Sequence, residues 1–490
     1  MELTKLVNSI KVIQLAGEVE RKDIEAISYD SRTVKKNTLF VAVTGFNLDG
    51  HKYILDAINN GATAVVLEND NVIPNDVFIH RNVTKILVRN SRRALAEISN
   101  AFYKEPSKKL QLVGITGTKG KTTTSFFLKN IFETAGFKTG MIGTIANFIA
   151  DRRIYTKMTT PESSDLNQLF AQMVSEGCTH AVMEVSSHSL VLNRVKNLSF
   201  RGAVFTNITS DHLDFHNTFE EYLKAKKILF DELTDEAFVV YNTDDVSSET
   251  IISETKAKPY SYGTKDSAAF QVKNITYDLN GTSFTIRHNG QDFNLRTRLV
   301  GEFNAFNAAA AFAISTLMGL KSEDIVKGID TTAQVAGRFE TVSYKSKKVI
   351  VDYSHTADSL EKALLAIHNI TKGQNPIYTV FGCGGNRDRT KRPVMGKIAS
   401  ELSHGVIVTS DNPRNEEPME IISEITKGID KNNYRVIENR EEAIKTAIEE
   451  SEDNAVILVA GKGHENYQEI KGVRSHFSDI EIAEKYLKSN

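Results

Sequence analysis

The sequence predicts an α/β protein built of three domains. At 490 residues the chain is too long for one ordinary core, and length alone argues for about three domains. Short apolar runs alternate with helical stretches along most of it, the pattern of mostly parallel sheets covered on both faces. A polar, proline-containing segment, "KEPSKK" at 104–109, and a change of rhythm near Gly337 divide the chain into blocks. The expected domains are 1–106, 107–335 and 336–490.

The first block reads as short strands, "ISYD", "LFVAV", "TAVVLE" and "KILV", with helical stretches such as "SRRALAEISNAFY" between them. From 110 the rhythm is strand, loop, helix: "LQLVGIT", "THAVMEVSS", "GAVFTNIT", "AFVVYNTDD". That alternation predicts a doubly wound sheet. Residues 269–299 break it with period-two alternation around "NG" dipeptides, which signals antiparallel hairpins in or beside the sheet. The helix "EFNAFNAAAAFAISTLM" follows. The third block alternates again through "KKVIVDYS", "IYTVFGCGG", "GVIVTSD" and "AVILVAGKG", a second, Rossmann-like α/β domain.

Composition narrows the function. The chain is 40% hydrophobic and 25% charged, with no tryptophan and 8 prolines, as in soluble globular proteins. A net charge of −2 provides no global field for nucleic acid or membrane, so neither is expected as a partner. An anionic ligand must be held by local Lys, Arg and backbone N–H groups. The first residues lack a secretory signal pattern, and no apolar run reaches membrane-spanning length. Cys178 and Cys383 are the only cysteines, which argues against a disulfide framework and fits a reducing cytoplasm. A cytoplasmic, monomeric enzyme is the expectation.

"LQLVGITGTKGKTTTSFF" carries the most specific signal. The long phosphate-loop pattern G-x-x-x-x-G-K-[ST] would need glycine at Ile115, so this loop is shorter. Its context is nonetheless a strand, a glycine turn and a helix. Glycines let successive N–H groups point at a phosphate, and the helix N-terminus adds partial positive charge. Gly117, Thr118, Lys119, Gly120, Lys121, Thr122 and Thr123 are therefore expected to bind ATP. Lys121 would reach the terminal phosphates, and the Thr122 hydroxyl would ligate Mg²⁺. The competing reading is an ordinary glycine-rich turn.

Acidic and histidine motifs follow two later strands, where ligands of such sheets bind. "MEVSSH" places Glu184 at a strand end, and "TNITSDHLDFH" places Asp211 and His212 at the next. Taken singly, Asp211 reads equally as a helix cap and the histidines as a satisfied polar cluster. As a set near a triphosphate, Glu184 and His212 are candidate Mg²⁺ ligands.

These motifs, in order along nearly the whole chain, resemble the Mur ligases. "GTKGKTT" is similar to the family's GTNGKTT loop, with Lys119 where Asn is commoner. The resemblance implies catalytic roles for Lys121, Glu184, His212 and Lys226. Lys226, in "YLKAKKILF", matches the lysine that the family carbamylates and uses, as the carbamate, to hold a second Mg²⁺. "SYDSR" implies Ser31 at the uridine nucleotide, making the first domain UDP-binding. "TTPE" and "SSHSLVLNR" imply Thr159, Thr160, Ser186 and Arg194 at a UDP-muramyl-dipeptide. Asn304 is expected near adenine, with Arg338, Asp352 and His355 at the nucleotide from the third domain. Two further positions depart from the family pattern: Leu192 stands where many relatives carry Gln, and Ala357 where many carry Pro.

The implied activity uses ATP and Mg²⁺ to phosphorylate the D-glutamate carboxylate of UDP-N-acetylmuramoyl-L-alanyl-D-glutamate, which an amine then converts to an amide. "DNPR", at Asp411, Asn412, Pro413 and Arg414, is the form found in members that add meso-2,6-diaminopimelate. The chemistry agrees. Diaminopimelate differs from lysine by a carboxylate beside its distal ammonium. Arg414 and Arg387 can grip that carboxylate with fork-shaped hydrogen bonds. Glu465 can meet the ammonium, and Gly461 allows close approach. Arginines left unpaired would discriminate against lysine.

The alternatives are a lysine-adding member of the same family and a catalytically silent nucleotide-binding protein. A folylpolyglutamate synthetase would share the nucleotide loop without combining "SYDSR", "DNPR" and "GKGHE".

Overall fold

The computed structural model describes residues 1–45, 48–209, 211 and 213–489. They divide into two compact units. The first comprises 1–271, 287–290 and 307–328, and the second comprises 272–286, 291–306 and 329 onward. The N-terminal and central blocks, separated in the sequence, are one unit here.

The N-terminal sheet contains β1 (Val12–Ala16), β2 (Ala26–Ser28), β3 (Thr38–Val41), β4 (Ala62–Leu67) and β5 (Thr84–Val88), in the order β1-β5-β4-β3-β2. Only β1 runs antiparallel to its neighbour. Residues of β3, β4 and β5 are almost all buried, which is why their apolar runs were legible, whereas β1 is largely exposed. This block joins the central one through specific polar contacts. Tyr29 donates to Asp165 Oδ2 at 2.8 Å, and Arg92 NH1 lies 3.4 Å from Glu162 Oε1.

The central sheet of the first unit contains β6 (Gln111–Thr116), β7 (Thr139–Ile142), β8 (Asn147–Ile149), β9 (Arg152–Ile154), β10 (His180–Glu184), β11 (Gly202–Phe205), β12 (Phe238–Asn242) and β13 (Lys258–Gly263). The order is β13-β12-β11-β6-β10-β7-β8-β9. The run from β13 to β7 is parallel, and β8 and β9 append antiparallel. β6 therefore has β10 on one side and β11 on the other. The connection from β6 runs to β7 on one side and that from β10 to β11 on the other, and the carboxyl ends at such a reversal are the usual ligand position in these sheets. Phe127, Leu128, Ile131 and Phe132 of the helix Lys121–Thr134 are buried. The helix is held close to Ser322–Thr331 where Asn130 donates to Gly328 O at 2.6 Å.

The strand β14 (Phe270–Asp278) begins parallel to β13, and β15 (Gly281–His288) and β16 (Gln291–Thr297) follow it in the expected hairpin region. The second unit's main sheet contains β17 (Glu340–Tyr344), β18 (Lys347–Asp352), β19 (Ile377–Phe381), β20 (Gly405–Val408), β21 (Tyr434–Val436) and β22 (Val456–Ala460), in the order β17-β18-β22-β19-β20-β21. Only β17 is antiparallel to its neighbour. A separate hairpin, β23 (Tyr467–Ile470) and β24 (Val473–His476), follows β22. Cys178 and Cys383 are buried free thiols. Among the described residues, no helix is long and apolar enough to cross a membrane.

Candidate active site

The short glycine loop connects β6 to the helix Lys121–Thr134. Gly117 has φ +152° and Gly120 φ +87°, conformations that favour glycine. Space demands glycine as well. A Cβ on Gly117 would lie 1.9 Å from Thr206 Oγ1, and one on Gly120 2.4 Å from Asn307 Oδ1.

Residues just after β11 hold the loop's shape. The Thr118 N–H donates to Asn207 O at 2.8 Å, the Lys119 N–H to Asn207 Oδ1 at 3.0 Å, and Thr206 Oγ1 to Lys119 O at 2.7 Å. The helix has no side-chain cap and no acidic residue in its first turn. Its leading N–H groups and partial positive charge suit a phosphate.

Two lysines share one acceptor. Lys121 Nζ donates to Gly117 O at 2.8 Å and Thr118 O at 3.0 Å, and Lys226 Nζ donates to the same Gly117 O at 2.9 Å. Lys226, on the helix Phe219–Asp231, is only 1% exposed. Burial pulls its ammonium well below its ordinary pKa of 10.5, and the neighbouring Lys121 charge pulls the same way, opposed by Asp211. A neutral Lys226 relieves the repulsion between the two. Tyr222 lies one turn earlier, its ring 4.4 Å from Lys226 Nζ and its hydroxyl 3.1 Å from Thr118 Oγ1.

Glu184 ends β10 and is buried. Its Oε2 accepts from Thr122 Oγ1 at 2.9 Å and Thr144 Oγ1 at 3.0 Å, and its Oε1 from the Thr144 N–H at 2.8 Å. Other motif residues gather around it. Thr160 Oγ1 donates to Glu184 O at 2.8 Å and accepts from the Ser186 N–H at 3.1 Å. Thr159 Oγ1 is 3.0 Å from Thr144 Oγ1. Arg194 donates to Thr160 O at 3.1 Å and pairs with Glu162 at 2.9 Å.

In the second unit, the loops after β20 and β22 build a polar cluster. Asn412 Nδ2 donates to Glu465 Oε2 at 2.8 Å, and Arg414 NH1 to Gly385 O at 2.8 Å. Gly461 has φ +118°, and a Cβ there would meet Asp411 Oδ2 at 2.6 Å. Burial raises the Glu465 pKa; Lys462 is the largest influence against it, followed in size by Asp411, which raises it, and then by Asn412 and Arg414, which lower it.

Three family models match this chain: "Mur ligase family, catalytic domain" over 23–103, "Mur ligase middle domain" over 115–315, and "Mur ligase, glutamate ligase domain" over 337–463. A curated UDP-N-acetylmuramoyl-L-alanyl-D-glutamate--2,6-diaminopimelate ligase of Cytophaga hutchinsonii is 44% identical over 491 residues, covering 99% of each chain. One of the same name from Clostridium tetani is 42% identical, over 100% of this chain and 99% of its own. The chain belongs to the Mur ligase family. A solved structure titled as that same ligase matches with a TM-score of 0.71 and 29% identity, over 100% of this chain and 99% of its own.

Among the residues expected of a Mur ligase, Lys121, Thr122, Glu184 and Lys226 converge on the loop; Thr160 touches Glu184 directly, and Thr159, Ser186 and Arg194 connect to it through Thr144 and Thr160. His212 lies outside the described residues. Ser31 is buried, and its carbonyl accepts from Asn60 Nδ2 at 2.9 Å and from the Val34 N–H at 3.3 Å. Tyr29 of the same segment reaches Asp165, on the helix Ser163–Ser175 that follows "TTPE". Asn304 is buried and donates to Val300 O at 2.9 Å. Asp352 Oδ2 accepts from the Phe339 N–H at 2.8 Å, Arg338 stacks over the Tyr353 ring at 5.1 Å, and His355 Nδ1 lies 2.9 Å from Tyr353 O. Arg387 is exposed. Sequence reasoning missed Thr144, Asn207, Asn307 and Lys462. Asn207, Asn307 and Lys462 each stood in a motif already singled out, "TNITSDHLDFH", "EFNAFNAAAA" and "GKGHE", whereas Thr144 stood in none.

Proposed function

We propose that this Mur ligase adds meso-2,6-diaminopimelate to the D-glutamate carboxylate of UDP-N-acetylmuramoyl-L-alanyl-D-glutamate, using ATP, in the cytoplasm. The convergence of Lys121, Lys226 and Glu184 on one phosphate loop, in a chain matching ligases of that name from end to end, carries the proposal. A carboxylate oxygen attacks the γ-phosphorus of ATP and ADP leaves, giving an acyl phosphate. The amine, as its free base, attacks the acyl carbon; phosphate leaves, the nitrogen gives up a proton that ends on phosphate, and an amide remains. Two accessible steps replace one difficult condensation, so the protein's task is positioning and charge neutralisation.

The tasks proposed for the residues follow the family pattern. Lys121 and the uncapped helix N-terminus receive the phosphates. Thr159, Thr160, Ser186 and Arg194 present the dipeptide, and Ser31 the uridine end. Asn304, Arg338, Asp352 and His355 complete the nucleotide contacts. Mg²⁺ is usually held by one or two carboxylates together with substrate phosphates and water. Glu184 and Thr122, whose oxygens are 2.9 Å apart, fit that need, with His212 as a further ligand. The metal supplies neutralisation of phosphate charge.

A neutral, buried Lys226 suits CO₂ uptake. Its nitrogen lone pair bonds to the carbon of CO₂, a C=O π pair moves to oxygen, and the nitrogen sheds a proton, leaving an anionic carbamate that is a further oxygen ligand. In the second unit, Arg414 and Arg387 take the distal carboxylate of diaminopimelate and Glu465 its ammonium. Asp411, Asn412, Pro413 and Gly461 shape that site.

ATP-dependent amide formation with a panel of amino acids tests the proposal. Product with diaminopimelate well above lysine is expected. Equal product with lysine would replace the proposal with the lysine-adding reading, and ATP binding without turnover would leave a silent protein.

A further inference from the structure

Lys462 lies in the second unit's polar cluster and has no role in the steps above. It is fully buried, at 0% exposure. Its Nζ donates to Asn412 Oδ1 at 3.0 Å and lies 3.6 Å from Glu465 Oε2 and 3.9 Å from Asp411 Oδ1. The rings of Tyr467 and Phe477 stand 5.5 and 5.9 Å from it. A lysine is seldom taken wholly out of water unless it is paired.

The hydrogen bonds have a direction. Asn412 Oδ1 accepts from both Lys462 Nζ and the Glu469 N–H, the latter at 2.9 Å. Two donors fix which amide atom is oxygen. Asn412 Nδ2 must then point the other way, to Glu465 Oε2 at 2.8 Å. Lys462 therefore orients Asn412, and Asn412 orients Glu465.

The charges are also closely grouped. Two carboxylates, Asp411 and Glu465, surround the single ammonium of Lys462. Arg440 acts on both from nearby, but both its fork contacts go to Asp479, each at 2.8 Å. Arg414 is committed through one N–H to Gly385 O. With Asp479 included, three carboxylates meet three cations, so the cluster offers both signs to a substrate end that carries an ammonium beside a carboxylate.

We propose that Lys462 is a positioning residue for the acceptor amino acid: it holds Glu465, through Asn412, ionised and aimed at the distal ammonium of the substrate. This rests on the diaminopimelate reading above. Several groups bear on Glu465: Lys462 in its own loop, Asp411 and Arg414 after β20, Tyr353 after β18, Tyr467 on β23, and Arg440. Burial raises its pKa and Lys462 is the leading influence keeping it down. Removing the ammonium should let Glu465 protonate at higher pH.

The test uses the full chain with both substrates and ATP. Lys462→Met should raise the KM for diaminopimelate more than about tenfold, the effect of losing one charge-assisted contact, while the KM for ATP stays within about twofold. The acidic limb of kcat/KM for diaminopimelate should move to higher pH. Lys462→Gln, which keeps a donor for Asn412, should recover part of the KM and none of the pH shift. If the Met variant does not fold, Asn412→Ala breaks the same relay without deleting the buried charge, and should again raise the KM for diaminopimelate selectively. Parallel rises in both KM values, or an unmoved acidic limb, would overturn the proposal, as would an unchanged KM in Asn412→Ala. A wild-type enzyme without diaminopimelate-dependent phosphate release would instead defeat the ligase reading on which it rests.

Discussion

Arg414→Ala is the most informative single change in the acceptor site. The residue is locked from three directions. Its own φ is +53°, its N–H donates to Glu469 O at 3.0 Å, and its carbonyl accepts from the Lys471 N–H at 2.7 Å. NH1 is fixed on Gly385 O at 2.8 Å, which orients the guanidinium plane while other N–H groups remain for a carboxylate. One or two charge-assisted hydrogen bonds at about 1.5–3 kcal/mol each correspond to a loss of roughly 10- to 150-fold for the first bond alone. Steady-state kinetics with each substrate varied in turn should place that loss on the KM for diaminopimelate and leave the KM for ATP nearly unchanged. Lysine, which lacks the carboxylate, should lose little. Small, equal effects on all substrates would remove Arg414 from selectivity.

Two further changes probe the phosphate loop. Lys226→Ala should slow turnover by about 10²–10³-fold, the usual effect of losing one preorganised charge, with partial recovery on adding acetate; full activity without acetate would refute the carbamate role. Gly120→Ala should weaken ATP binding, because φ +87° costs about 1–2 kcal/mol with a side chain and the new Cβ would meet Asn307 Oδ1 at 2.4 Å. Gly136→Ala is the matched control, with the same φ of +87° and nothing within 4 Å. Equal ATP affinities in the two variants, by calorimetry, would show that the close approach to Asn307 does not matter.

Much of this was legible in the sequence where burial writes a pattern. β6, β10, β11 and β22 are apolar runs covered on both faces, and each was found. β1 was not, because its exposed middle residues carry no burial alternation. β13 begins with Lys-Pro and is half polar, which reads as loop. The union of the N-terminal and central blocks was invisible too, since it depends on pairs such as Tyr29 with Asp165, far apart in the chain.

The site divides along the same line. Lys121 and Thr122 follow from local spacing, and Glu184 from its place at a strand end. Lys226 came through family likeness alone, for by pattern it is one more helical lysine, and only folding buries it. Thr144 grips Glu184 from a loop with no motif, and Asn207 and Asn307 wall the glycines from other elements. Lys462 stood in a motif, but a lysine there reads as solvated until its burial is seen.

The central claim is that the D-glutamate carboxylate is phosphorylated before diaminopimelate attacks it. Labelling both oxygens of that carboxylate with ¹⁸O and analysing the products by mass spectrometry tests this most directly. One labelled oxygen should appear in the released phosphate and one should remain in the amide. Phosphate carrying no label, formed alongside amide, would contradict the account.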